Sequence, residues 1–318
     1  MKKNIIALAV ASAISAPVAM ADAPVVYGIA NMAINTVEDA GSSTDSIASR
    51  LGVKGSEDLG NGLKAVYKME FGLDLAGSNG VTARNQYVGL AGGFGTFLMG
   101  THDTPLKMSQ PKDLFNDGKF DNSKTAGGVL VSGGEVRADN VIAYVSPSFS
   151  GVKLVAAAVS GTVDPDAAPI APDTLGREDS ELADAYSVAV MYGSAKKGLY
   201  LAAAYNGGDQ FDNAEETRIS AQYKTGGLTA NAMWQDEDNT GTNVTASAGY
   251  KIGKMMPKIK YSTTDLDNST ASPSTVAIGL NYSLGKKTTA YIEYGTFDTD
   301  TAGDSTTTVS SIGLQHKF

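Results

Sequence analysis

The chain is 318 residues long, carries 34 acidic against 25 basic side chains for a formal charge of −9, and has no cysteine. An acidic balance of this size argues against a nucleic-acid partner. Without disulfides, stability has to come from a large packed core or a closed sheet.

The first residues do not belong to the fold. Lys2-Lys3, the apolar run Ile5–Ala16, Pro17 and the small-residue pattern Ala19-Met20-Ala21 predict a cleaved secretory signal over residues 1–21, with the mature chain starting at Asp22. The run is shorter than the roughly 20 residues a helix needs to span a bilayer. Loss of Lys2 and Lys3 moves the charge from −9 to −11, because residues 1–21 hold no carboxylate. Beyond residue 21, Gly, Asn, Asp or Lys breaks every apolar run within about ten residues, which excludes a helical membrane protein and leaves a membrane barrel open.

From Val25 onward the hydrophobic period is two, the signature of strands with one polar and one apolar face. Leu51 and Val53 oppose Arg50 and Lys54; Leu63, Ala65, Tyr67, Met69, Phe71 and Leu73 oppose a face that holds Lys64, Lys68, Glu70 and Asp74. Later, Ile219, Ala221 and Tyr223 oppose Arg218, Gln222 and Lys224, and Ile259 and Tyr261 oppose Lys258 and Lys260. In the last segment Ile312, Leu314, His316 and Phe318 share a face. Sixteen such segments are predicted, at 25–35, 46–55, 63–74, 84–91, 95–102, 139–146, 152–159, 183–192, 199–206, 217–224, 228–236, 242–250, 258–265, 275–283, 288–297 and 307–318. The count is even, as bacterial outer-membrane barrels require.

The connections alternate in length. Short turns are expected at Asp58–Gly62, Gly92–Phe94, Pro147–Gly151, Ser194–Gly198, Thr225–Gly227, Ile252–Pro257 and Leu284–Lys287. Longer acidic or Ser/Thr-rich loops are expected at 36–45, 75–83, 103–138, 160–182, 207–216, 237–241, 266–274 and 298–306. Short turns on one rim and long loops on the other are the layout of an all-β transmembrane antiparallel barrel with periplasmic turns and extracellular loops. Tyr27, Tyr67, Tyr87, Tyr144, Tyr186, Tyr192, Tyr223, Trp234, Tyr250, Tyr291 and Tyr294 fall near strand ends and are expected in the aromatic girdles. The longest connection, 103–138, has two prolines and paired glycines and no sustained period; a loop of that length in a compact domain points to function, here a plug narrowing a water-filled barrel.

Three stretches carry a family resemblance. Ser49-Arg50-Leu51-Gly52-Val53-Lys54-Gly55-Ser56-Glu57-Asp58-Leu59-Gly60-Asn61-Gly62-Leu63-Lys64-Ala65 resembles the second hairpin of the Gram-negative general porins of Neisseria and β-proteobacterial type. Tyr87-Val88-Gly89-Leu90 followed by Gly93-Phe94-Gly95-Thr96 resembles the next hairpin, and Gly313-Leu314-Gln315-His316-Lys317-Phe318 the closing strand. The resemblance implies a sixteen-stranded homotrimeric barrel in the outer membrane, in contact with lipid and lipopolysaccharide, its third long loop folded into the lumen. It also implies that Phe318 is the signal read by the outer-membrane assembly machinery. By order and length, 103–138 is similar to the constriction loop, so Asp103, Asp113, Asp117, Asp121 and Glu135 are its candidate acidic side. Arg50, Lys54, Lys68 and Arg84 are the candidate basic wall. Members commonly carry Arg where this chain has Thr101 and Ala143, so a thinner basic side and a mild cation preference are expected. The alternation leaves Arg84 ambiguous, because turning it inward also turns Val88 and Leu90 inward.

Such a pore needs no reaction: charges of opposite sign across a narrow lumen set a transverse field that sorts ions and small hydrophilic solutes. The histidines are His102 and His316, and Asp103 beside His102 points to the other face of a strand, so no enzyme is expected. Asp298–Asp304 looks like a calcium loop but has Val309 where the twelfth-position Glu belongs; no metal or cofactor is expected. The alternative is an exported β-rich adhesin whose long loops bind a partner, and it would not conduct.

Overall fold

The computed structural model describes residues 23–77, 80–124, 134–160, 182–208, 215–301 and 306–318. The predicted leader, residues 125–133 of the 103–138 loop, residues 161–181 of the 160–182 loop, residues 209–214 of the 207–216 loop and residues 302–304 of the 298–304 run lie outside them. No helix among the described residues is long and apolar enough to cross a membrane.

The strands are β1 (Val25–Val37), β2 in two parts (Gly41–Ser46 and Arg50–Gly60), β3 (Leu63–Leu73), β4 (Val81–Gly92), β5 (Gly95–Asp103), β6 (Arg137–Val145), β7 (Val152–Val159) and β8 (Ala185–Gly193). They continue with β9 (Gly198–Gly208), β10 (Glu216–Thr225), β11 (Leu228–Glu237), β12 (Gly241–Tyr250), β13 (Met255–Leu266), β14 (Ser274–Ser283), β15 (Thr288–Asp298) and β16 (Thr306–Lys317). Each pairs antiparallel with the next, and β16 returns to β1 from Ile29↔Lys317 to Val37↔Val309. The described strands therefore close on themselves without a free edge, the condition for a sheet to sit in lipid. Phe318 completes the seam: its N–H donates to the Gly28 carbonyl at 3.1 Å and its carbonyl accepts from the Gly28 N–H at 3.2 Å. Its ring lies where a Cβ on residue 28 would be, so the closure needs glycine there.

Sixteen strands match the sixteen predicted, and burial runs opposite to a soluble domain. Ile34, Val88, Ile219, Ile278 and Ile312 are exposed on the outer face, while Asn31, Gln235, Asn243 and Lys260 are fully buried inside. The apolar face meets lipid and the polar face meets the lumen.

The departures are local. The expected loop 36–45 shrinks to residues 38–40, because Gly41–Ser46 pairs with β1. β2 then breaks at Ile47–Ser49, where Ala48 takes φ 45° and the Ser49 hydroxyl both accepts from and donates to the Asn31 backbone at 3.0 Å. The turns Asp58–Gly62 and 237–241 tighten because β2 runs on to Gly60 and β11 ends at Glu237 only four residues before β12 begins. Three predicted girdle tyrosines lie inside instead: Tyr27 donates to Glu70, Tyr87 packs on His102, and Tyr291 is 3% exposed and donates to Asn31. Tyr291 is one residue out of phase with the exposed Ile292 and Tyr294, and period two sends it the other way.

Candidate functional site

The third long loop leaves the wall at Asp103 and turns at once into a short helix, α1 (Pro105–Met108), capped by the Thr104 hydroxyl. Leu106 is fully buried against Val155, Ala189 and Ala204 of β7, β8 and β9, and its N–H donates to the Ser187 hydroxyl at 3.1 Å. Small residues on the inner face of these strands leave room for the helix. On the neighbouring β6, Ala143 is 4% exposed and packs with Leu98 and Ala157.

Past α1 the loop follows the inner wall. Gln222 accepts from the Lys112 N–H and Asn231 donates to the Lys112 carbonyl. Lys258 donates to the Leu114 carbonyl at 2.7 Å, and Lys260 to those of Asp121 and Lys124 at 2.6 and 3.0 Å. Phe115 and Phe120 are fully buried against Ala277 and Val309, with Phe120 stacked on Phe297 at 5.3 Å. At the tip, Asn116 and Asp117 take φ of 60° and 58°. Asn31 of β1 donates to the Asn116 carbonyl, while the Asn116 side chain donates to Asn281 and Glu293. The loop thus lies on the wall from β7 round to β1, and the opening is left beside β2, β3 and β4.

Of the five predicted loop carboxylates, Asp117 reaches the predicted basic wall, 4.0 Å from Arg50 and 41% exposed. This contact lines the second of two vestibules. One, of about 490 Å³, is lined by Asp45, Ser49, Asp74 and Arg84; the other, of about 470 Å³, by Arg50, Lys112, Asp117 and Lys254. The other four carboxylates make their contacts within the loop or to the wall behind it, and Asp113 also lines the second vestibule. Asp103 pairs with Arg137 at 2.8 Å and Lys107 at 3.9 Å and accepts from Asn85. Asp113 accepts from the Asp117 N–H, and Asp121 from the Ser123 N–H. Glu135 lies 2.9 Å from Arg218 and 3.9 Å from Lys107.

Burial shifts Glu135, Asp113, Asp121 and Lys107 toward their neutral forms, while at Asp103 burial is outweighed by Arg137, which holds it below the usual carboxylate range. Glu135 is pushed up to about 7 by burial, with Arg218 and Lys107 pulling the other way. Burial and then the neighbouring Asp121 charge raise Asp113; burial and then Asp117 raise Asp121. Burial lowers Lys107, opposed by Glu135 and Asp103.

On the wall, Arg50, Lys54, Lys68 and Arg84 all face inward around Glu70, which takes Arg84 at 2.7 Å, Lys68 at 3.2 Å and the Tyr27 hydroxyl at 2.7 Å. Lys54 lies 5.2 Å over the Tyr27 ring. The ambiguity at Arg84 is resolved by a register shift between Met69 and Phe71, which pair with Gln86 and Ala83. Such a bulge re-aims side chains. Arg84 and Asn85 both turn inward, and Val88 and Leu90 stay outside.

Sequence reasoning missed Glu70 at the opening and Lys107 and Arg137 at the loop root, and gave no role to Arg218, Lys258, Lys260 and Glu293, which hold the loop. The signal was present for the last four: a charged side chain in mid-strand on the polar face is expensive inside a barrel unless something packed in the lumen pairs with it. Thr101 is not in the lumen at all. It pairs across from Gln86 and donates to Asp139 on the exposed side.

A closed sixteen-stranded barrel with an inverted core and a loop packed along its lumen has a specific set of relatives. The sequence pattern of the Gram-negative porin family matches residues 7–302. The chain belongs to the Gram-negative porins. The porin is 28% identical over 370 residues to the major outer membrane protein P.IB of Neisseria gonorrhoeae, the whole of both chains aligned, and 29% identical over 355 residues to that of Neisseria meningitidis serogroup B, again in full. Among solved structures it resembles an anion-selective porin from Comamonas acidovorans, with a TM-score of 0.72, 21% identity, and coverage of 94% of this chain and 100% of that one. A trimer form of OmpT from Vibrio cholerae matches with a TM-score of 0.66 at 18% identity, covering 93% and 100%. The porin is an outer-membrane general-diffusion channel, and its family is one of non-enzymatic pores.

Proposed function

We propose that the porin passes small hydrophilic solutes through an opening set by Arg50 and Asp117, and that this opening mildly favours anions. The observation that carries the sign is the wall: Arg50, Lys54, Lys68 and Arg84 stand around the single carboxylate Glu70, and the loop adds Asp117 opposite them. Four cations against two carboxylates leave positive charge at the narrowest level, while the carboxylates behind the mature charge of −11 lie largely in the outer loops. The anion selectivity named for the Comamonas structure runs the same way. The mild cation preference expected from formal charge is the second reading, favoured by those outer loops. Reversal potentials under a KCl gradient from about 1 M to about 0.1 M separate the two. The Debye length there is about 3 to 10 Å, so distant rim charges are screened and groups lining the opening decide. A cation-selective sign refutes the proposal; absence of stepwise currents from folded protein refutes the pore.

The same reading assembles three barrels in the membrane, supported by the trimer form named for OmpT. It makes residues 1–21 a leader, Phe318 the residue handed to the assembly machinery, and the outer loops the contact with lipopolysaccharide. An unheated gel showing a trimer mass that collapses on boiling tests the first of these.

A further inference from the structure

Charge is segregated along the pore axis. The periplasmic turns carry Lys196, Lys197, Lys251, Lys254, Lys286 and Lys287 against one carboxylate, Asp58, which accepts from the Gly60 N–H. The extracellular connections, the third loop apart, carry Glu38, Asp39, Asp184, Glu215, Asp238 and Asp267 among their described residues, and those described residues include no lysine or arginine. The lumen repeats the pattern. In the vestibule of about 470 Å³ on the periplasmic side of the loop tip, Arg50, Lys112, Lys224, Lys251, Lys254 and Lys317 face Asp113 and Asp117. Burial, and then the neighbouring charges of Lys224 and Lys317, hold Lys112 below the usual lysine range, a sign that the cations there crowd one another.

We propose that this axial separation makes the porin a rectifier, conducting better at low salt when the extracellular side is positive. The inference rests on reading the barrel as an open pore. A mouth of fixed negative charge collects cations and a mouth of fixed positive charge collects anions. With the outside positive, cations are driven in from the mouth that concentrates them and anions out from theirs, so both accumulate in the lumen. Reversed, each ion must enter through the mouth that repels it, and the lumen is depleted. Salt tunes the effect, because the Debye length is about 30 Å at 0.01 M and about 3 Å at 1 M.

The test is single-channel recording of the full-length mature porin in planar bilayers. The chain has no cysteine, so Ser269→Cys in an exposed extracellular turn gives a unique thiol. A maleimide polymer too bulky to pass the pore, added to one chamber, then reports orientation. In about 10 mM KCl the current with the extracellular side positive is expected to be about twofold larger than at the opposite polarity, and in 1 M KCl the two are expected to match. In Lys224→Gln/Lys251→Gln/Lys254→Gln, the low-salt ratio is expected to fall toward one, with steps in 1 M KCl showing that the barrel has folded. A symmetric current at 10 mM, the opposite polarity, or a ratio that survives the triple substitution overturns the rectifier and leaves the porin reading intact. No steps at 1 M KCl in the parent removes both.

Discussion

Lys258→Met tests whether barrel-wall cations hold the third loop in place. Lys258 and Glu293 are both fully buried and meet at 2.6 Å; the same ammonium donates to the Leu114 carbonyl at 2.7 Å and lies 4.5 Å over the Phe115 ring. Methionine keeps most of the volume but strands the Glu293 carboxylate. Breaking a buried pair in this way costs about 3–5 kcal/mol. Asn116 still donates to Glu293 at 2.9 Å, which favours the lower figure. If about 3 kcal/mol is lost from docking of the tip, the released fraction rises about a hundredfold, at 1.4 kcal/mol per decade. Trypsin reads this directly, because Lys119 and Lys124 lie in the segment that would lift, and cleavage follows the open population when reclosing is fast. Fragments ending at Lys119 or Lys124 are expected to form about a hundred times faster in Lys258→Met than in the parent. Lys258→Met/Glu293→Gln, which leaves no buried charge, is expected to recover most of the protection. Cleavage at the parental rate in the single variant, or a double variant as sensitive as the single, would refute the anchoring role.

Asp117→Asn removes the loop carboxylate that faces Arg50; with Asp117 41% exposed and the pair at 4.0 Å, thermal stability is expected to change by less than about 1 kcal/mol, while reversal potentials move toward anions. Glu135, raised from 4.5 to about 7, binds its proton more tightly folded than unfolded, so its contribution to stability is complete below pH 4.5 and is lost as pH rises through about 7. The parent's thermal midpoint is therefore expected to fall more steeply than that of Glu135→Gln between about pH 5 and pH 8, and equal slopes in the two would show that this carboxyl is not the source. Thr101→Arg is expected to leave ion selectivity unchanged because that side chain points away from the lumen, whereas Ala143→Arg puts a cation on the inner wall and is expected to raise anion preference at some cost in folding. Reversal potentials for the pair settle which position belongs to the pore.

The barrel was legible in the sequence because period two survives in almost every strand: Val276, Ile278, Leu280 and Tyr282 could face only one way. What escaped was wherever a single residue breaks the phase. The bulge beside Arg84 is one insertion in β4, invisible to alternation, and it changes which face two side chains take. Ala48 hides a break in β2 that no propensity signals, since alanine is an ordinary strand filler and its left-handed backbone is imposed by the Asn31–Ser49 clasp. The loop carboxylates were found as residues but not as roles. Composition says that Asp113, Asp121 and Glu135 are acidic; only packing says that they are buried against the wall while Asp117 is not.

The apparent loss of basic residues at Thr101 and Ala143 is the clearest case of composition misleading about a site. Ala143 is packed on the inner face of β6, and an arginine there would compete with Leu98 and Ala157 for the same space. The positive charge is instead carried on α1 and at the foot of β6. Lys107 and Arg137 converge on Asp103, and Lys107 and Arg218 on Glu135, so the carboxylates at the loop root are neutralised without drawing on the cations at the opening. Arg50, Lys54, Lys68 and Arg84 are then left with Glu70 and Asp117 for six charged groups in all. The surplus of cations at the opening thus follows from how completely the loop's other carboxylates are paired or buried elsewhere. Any substitution that frees one of them toward the lumen is expected to erode that surplus and shift selectivity toward cations, with Glu135 and Asp113, both raised to about 7, gaining their charge near neutral pH.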